Sequence, residues 1–249
     1  MTHSQSFLNI LPKVPQGIPK LCVALLGGGG KTSLMYQLGK EFVTENNHVL
    51  MTSITKAGPT NNIPLHLTGS NGEIFLTQMF KSQNPVYLLR ERIKDNKYKG
   101  ISIAQLESFL PEADVTIFEC DGSRNLPLKA HSHWDPVVPD FATHVIIVIG
   151  ADVINTKLND GKVHRLKLFK SLWDIQDDTV IDIPLITKVV TDKQGYLSKI
   201  PDSVQKIYFI NKADKFHKAA NALATSIAKV RSDSIFFGSI HQAWWKTIS

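Results

Sequence analysis

Cysteine is scarce: Cys22 and Cys120 are the only two in 249 residues, and both stand in apolar runs. That scarcity excludes a disulfide-stapled scaffold and fits a reducing compartment, so a cytoplasmic location is expected. Aromatic residues make up 8% of the chain and its 12 phenylalanines are not clustered, so no stacking array for nucleic-acid bases is present and no specific nucleic-acid role is expected. No stretch approaches the roughly 18 consecutive apolar residues of a membrane span. Met1 to Pro15 lacks the basic-then-apolar order of a secretory signal, so none is expected there. Internal repeats and low-complexity linkers are missing too, and residues 1–249 are read as a single domain.

What is present is a hydrophobic content of 43%, enough for a full core, and a net charge of +6. The charge fits an anionic ligand, or a merely basic surface. The most informative segment is Gly27-Gly28-Gly29-Gly30-Lys31-Thr32, which follows the apolar run Leu21 to Leu26 and opens a helical pattern. Glycines let backbone N–H groups converge on phosphate oxygens, and a helix start adds free amides and about half a positive charge. The usual P-loop reads G-x-x-x-x-G-K-S/T. Here its first glycine would fall on Leu25, leaving a shortened G-x-x-G-K-T. Lys31 is expected to reach terminal phosphates, Thr32 to hold Mg²⁺, and Ser33 to complete the binding segment.

Alternating strands and helices predict an α/β, P-loop NTPase-like fold, with a mostly parallel sheet and helices on both faces. The expected strands are Leu21–Leu26, Val49–Ile54, Val115–Phe118, Val145–Ile149, Lys206–Ile210 and Ile235–Phe237, with Val86–Ile93 as an edge strand. The expected helices are Lys31–Phe42, Glu73–Phe80, one capped by Ser102 and Gln105, Val163–Trp173, one capped by Asp182, and Asp214–Val230. Gly58 to Gly72 reads as a polar loop.

Two further segments fall at predicted strand ends, where ligands bind in such sheets. Phe118-Glu119-Cys120-Asp121-Gly122 offers Glu119 and Asp121 to Mg²⁺ or to a nucleophile, though a solvated D-G turn has the same appearance. Asn211-Lys212-Ala213-Asp214 resembles the guanine reader of GTP-binding proteins. A carboxylate at Asp214 accepts both guanine N–H groups, Lys212 covers the base and Asn211 braces the loop; the same residues also fit an ordinary helix cap. Arg124 and Lys129 are candidates to bind an anionic substrate or offset developing charge. His131 and His133 would share one face of an extended segment, as a soft-metal pair or simply a solvated loop.

Taken together, these segments resemble the YqeC-type accessory proteins, a family linked to selenium-dependent molybdenum hydroxylases. The family's G-A-G-G-K-T resembles Gly27–Thr32, and its V-T-T-T-T-K resembles Met51-Thr52-Ser53-Ile54-Thr55-Lys56. Its longest motif is similar to Glu119-Cys120-Asp121-Gly122-Ser123-Arg124, then Pro127-Leu128-Lys129-Ala130, then Pro136-Val137-Val138-Pro139. Its V-H-R and N-K-x-D are matched by Val163-His164-Arg165 and Asn211–Asp214. The chain departs at Cys120, where alanine is usual, and from His131 to Trp134. The resemblance implies a cytoplasmic nucleotide-binding maturation factor for a selenium- and molybdenum-containing enzyme, with that enzyme or other maturation proteins as partners. A Mg²⁺-dependent GTPase or ATPase is the leading expectation. A kinase or ligase acting on a small anionic substrate is the alternative, as is a module that binds a nucleotide or cofactor without turnover.

Overall fold

Leu21–Gly27 forms the first strand, β1, because its side chains alternate between two apolar layers. Val23 and Leu25 enter one layer, and Cys22, Ala24 and Leu26 enter the other. Burial on both faces marks a central strand of a covered parallel sheet. The structure is a computed structural model that describes residues 5–12, 20–59, 63–69, 74–135, 137–159 and 161–248. Parts of the Met1–Pro15 and Gly58–Gly72 readings, Glu73 as a helix start and Pro136 of the long motif lie outside the described residues.

From β1 the chain enters α1 (Lys31–Thr44), then β2 (Val49–Ser53), β3 (Leu65–Leu67), α2 (Leu76–Ser82) and β4 (Val86–Leu89). A hairpin of β5 (Glu91–Lys94) and β6 (Lys97–Lys99) leads into α3 (Ile103–Phe109) and β7 (Val115–Glu119). Next come β8 (Leu128–Lys129), β9 (His144–Gly150), β10 (Thr156–Lys157), β11 (Val163–His164), α4 (Leu166–Trp173), β12 (Val180–Ile181) and α5 (Ile183–Thr191). The last elements are β13 (Gln205–Asn211), α6 (Ala213–Ala228), β14 (Ser234–Ser239) and β15 (Trp244–Thr247).

Nine strands form the main sheet in the order β15-β14-β13-β9-β1-β7-β2-β4-β3, and only β15 runs antiparallel to its neighbour. The fold is therefore α/β with a mostly parallel sheet. One face is covered by α1 and by the short 3-10 turn Phe7–Ile10, the other by α2 through α6. The chain fills the β7 side of β1 first and then crosses to β9 on its other side. The order therefore reverses at β1, and the crevice at the carboxyl ends of the strands opens there. Among the described residues no helix is long and apolar enough to cross a membrane.

Two expected caps are present. Ser102 and Gln105 bond reciprocally at the start of α3, and Asp182 accepts from the Leu185 N–H at 2.8 Å at the start of α5. Several boundaries are corrected. Val86–Leu89 is not an edge strand: all four residues are buried, and β4 lies between β2 and β3. The helix expected from Val163 starts at Leu166, because Val163 and His164 pair in parallel with Leu128 and Lys129. Arg165 then takes a left-handed conformation at φ 64° before the helix begins. The strand expected to close the chain is followed by β15, whose Trp244 and Trp245 gave no alternating pattern to read.

Candidate functional site

The glycine run begins where β1 ends and is fastened from below. The Gly27 N–H donates to both carboxylate oxygens of Asp121, each at 3.2 Å, and the Gly28 N–H donates to the Val148 carbonyl at 2.9 Å. These two amides, expected on a phosphate, are thus committed inside the protein. Gly30 sits at φ 144°, and a Cβ there would meet Asn211 Nδ2 at 2.3 Å, so the position requires glycine. Asn211, at the end of β13, ties the loop to the segment after β14. Its Nδ2 donates to the Gly29 carbonyl at 2.8 Å, and its Oδ1 accepts from the Ile240 N–H at 3.1 Å. No side chain caps α1, so its first-turn amides face the crevice as open donors.

Lys31 points beneath the loop. It is 4% exposed, and its Nζ donates to the Gly27 carbonyl at 2.6 Å and pairs with Asp121 at 3.1 Å. Asp121 also pairs with Lys129 at 3.2 Å and accepts from His131 Nε2 at 2.9 Å. Lys129 continues to Asp135 at 2.6 Å, and Asp135 meets Arg165 at 2.5 Å. This ionic network holds three cations against two carboxylates, so its charge is net positive under the loop. The short ladder of β8 and β11 assembles it by setting Lys129 beside His164 and bringing Arg165 to Asp135.

Burial alone would push the Asp121 carboxyl up. Lys31, the His131 hydrogen bond and Lys129 outweigh it and hold it far below the usual carboxylate range. Burial likewise works against the Lys31 ammonium, yet Asp121 and then Glu119 keep its pKa above the ordinary value. For His131 burial wins over Asp121 and lowers the pKa, so the neutral ring donates through Nε2. His164 is lowered to about 4 by burial and by the charges of Lys129, Arg165 and Arg124. Both histidines have folded pKa values below the unfolded value of about 6.5. The stability they contribute is complete above that pH and is lost as pH falls through the window toward about 4. The melting temperature is therefore expected to drop steadily from about pH 7 to pH 4, and a flat profile would contradict these assignments.

Glu119 ends β7 at the crevice and accepts a short hydrogen bond from the Thr32 hydroxyl. It has no ion-pair partner among the described residues. Cys120, between the two acids, is fully buried, with its Sγ–H directed at the Leu25 carbonyl and its pKa raised by burial. It fills space in the apolar core. Lys212, at φ 68°, pairs with Asp152 at 2.8 Å, while Asp214 is half-buried in the first turn of α6. A cleft of about 2050 Å³ gathers Gly29 to Ser33, Glu119, Arg124, Asn211, Lys212 and Asp214. Asp121 and Lys129 do not line it; they lie behind the loop.

Of the two histidines read as a soft-metal pair or a solvated loop, His131 departs from both: it is buried with its ring edge on Tyr196 at 4.7 Å. His133 is exposed, as a solvated loop would have it, and packs on Trp134 at 4.5 Å. Among the described residues no group of three or more His, Cys, Asp or Glu side chains is placed to hold a metal ion. Sequence reasoning missed Asp135, Asp152 and Tyr196, whose hydroxyl accepts from the Lys129 N–H at 3.0 Å. Asp135 stands one residue before the Pro136 of the long motif, and that adjacency was the available signal.

A likeness to the crystal structure of FlhF complexed with GMPPNP and Mg²⁺ covers 97% of this chain and 76% of that one, at 14% identity and a TM-score of 0.39. The chain is 27% identical over 209 residues to the "Uncharacterized protein YqeC" of Escherichia coli (strain K12), covering 82% of this chain and 79% of that protein. A family model described as "YqeC protein" matches residues 23–167. That span is more than half of the chain and takes in the glycine loop, the acidic turn and the β8–β11 ladder, so the chain belongs to the YqeC family.

Proposed function

We propose that this protein binds a nucleoside triphosphate with Mg²⁺, prefers GTP, and hydrolyses it as an accessory factor in the maturation of a selenium- and molybdenum-containing hydroxylase. The observation that carries the nucleotide reading is the cradle itself. It is an uncapped helix start behind a glycine turn at the sheet's switch point, with Asn211 bracing it and a net positive network beneath. Polyphosphate is the ligand that matches both the open amides and the charge.

Mg²⁺ fits the groups present. The Thr32 hydroxyl and the Glu119 carboxylate stand together at the cleft, both are hard oxygen donors, and Glu119 has no ion-pair partner among the described residues. These two would hold the ion, which when bound supplies neutralisation of phosphate charge. Lys31 contributes its charge from beneath the loop, where Asp121 and the Gly27 carbonyl hold it, and Lys129 holds Asp121 in turn. Glu119 is also the group nearest to hand for orienting a water, since it ends β7 at the cleft.

The guanine preference rests on Asp214, with Lys212 and Asn211 placed before it in the turn from β13 to α6. Asp214→Ala is expected to lower the GTP-over-ATP preference by about tenfold or more, with a smaller effect on phosphate affinity. Equal binding of ATP and GTP by the unaltered protein would remove this part of the reading and leave the cradle. The maturation role is supported by the family resemblance. Product analysis tests the hydrolytic reading: free phosphate with no modified second substrate supports it, and a phosphorylated or acylated product supports a kinase or ligase.

A further inference from the structure

The cradle and the groups proposed to face the base come from β1, β13 and β14. Another stretch of the cleft lining comes from the β8–β11 ladder and its neighbouring loops: Arg124, Trp134, His164 and Arg165. Trp134 is 61% exposed, an unusual placement for a large aromatic ring. The Arg165 guanidinium lies 5.5 Å from its ring centroid and His133 packs edge-on against it, so the ring is held in place while most of it stays open. Arg165 is itself anchored by Asp135 and by the Ala130 carbonyl at 3.2 Å.

Charge here is unbalanced. Asp135 is already matched by Lys129 and Arg165, which leaves Arg124 exposed and without an ion-pair partner among the described residues. Arg124 is held at φ 52°, beside a loop whose Leu126 carbonyl closes over Gly28. His164 reports the same field. Its Nδ1 is buried without a hydrogen-bond partner, and three neighbouring cations face it against the single carboxylate of Asp121. The volume leaves room as well, because about 2050 Å³ is more than the roughly 300–1,000 Å³ that a single small ligand takes.

We propose that this part of the cleft is a second binding site, for a small planar aromatic anion whose ring stacks on Trp134 and whose phosphate or carboxylate meets Arg124. The proposal goes beyond the nucleotide reading and does not depend on it. Stacking supplies tolerance for any flat ring, and the uncompensated cations select for negative charge.

The test is titration calorimetry of the full chain at low salt with naphthyl phosphate as the probe, beside naphthol and inorganic phosphate. Saturable binding of naphthyl phosphate is expected, with both controls weaker because each supplies only half of the contact. Trp134→Ala should weaken it by about tenfold or more, and Arg124→Ala by a similar factor. Lys31→Ala should leave it intact, and Trp134→Ala should leave triphosphate affinity unchanged. In NMR titrations the His164 ring should gain a higher pKa when the probe is bound, because a nearby anion favours the charged imidazole. Absence of saturable binding would overturn the proposal. So would binding that disappears in Lys31→Ala but survives in Trp134→Ala, which would place the probe in the phosphate cradle. Failure of triphosphate binding alone would count against the nucleotide reading and not against this site.

Discussion

Asp121→Ala is expected to destabilise the protein by about 3–5 kcal/mol, because it breaks a buried ionic network at its centre. Asp121 is fully buried and is shared by Lys31, Lys129 and His131, and it also accepts the Gly27 N–H. Its removal strands two buried ammonium groups with Asp135 as the remaining carboxylate of the network. It also leaves the first amide of the glycine loop without its partner. Denaturant unfolding of the unaltered protein and the variant measures the effect. Asp121→Asn keeps the shape and loses the charge, so it should recover only part of the loss. A change below about 1 kcal/mol in both variants would mean that the network contributes little.

Lys31→Ala is expected to weaken triphosphate binding by at least about tenfold, because it removes a positive charge from beneath the loop and leaves two cations against two carboxylates in the network. The variant should still fold, because Lys129 and His131 remain on Asp121. Circular dichroism confirms the fold and calorimetry with GTP and ATP reads the affinity. A folded variant with unchanged affinity would show that the Lys31 ammonium does not act on the phosphates.

The central strand, the glycine turn and α1 were legible because their signals are local. An apolar run, four glycines and a lysine–threonine pair lie in direct succession. The caps of α3 and α5 were legible for the same reason. The β8–β11 ladder was not. Leu128-Lys129 and Val163-His164 are two residues long and far apart in sequence, and no periodicity emerges from so short a strand. Both motifs were read, but nothing in either says that it pairs with the other. That pairing turns Lys129 from an expected substrate contact into a buried partner of Asp121 and Asp135. Asp121 illustrates the same limit. A D-G turn reads as exposed, and only the tertiary arrangement of two lysines and a histidine permits the carboxylate to be buried and charged.

Titration calorimetry of the unaltered protein with GTP and ATP, each with and without Mg²⁺, tests the central claim most directly. Saturable binding strengthened by Mg²⁺, tighter for GTP and weakened in Lys31→Ala, is the result expected from open amides at Gly29 to Ser33 above a positive network. No saturable heat with either triphosphate at any Mg²⁺ concentration would contradict it.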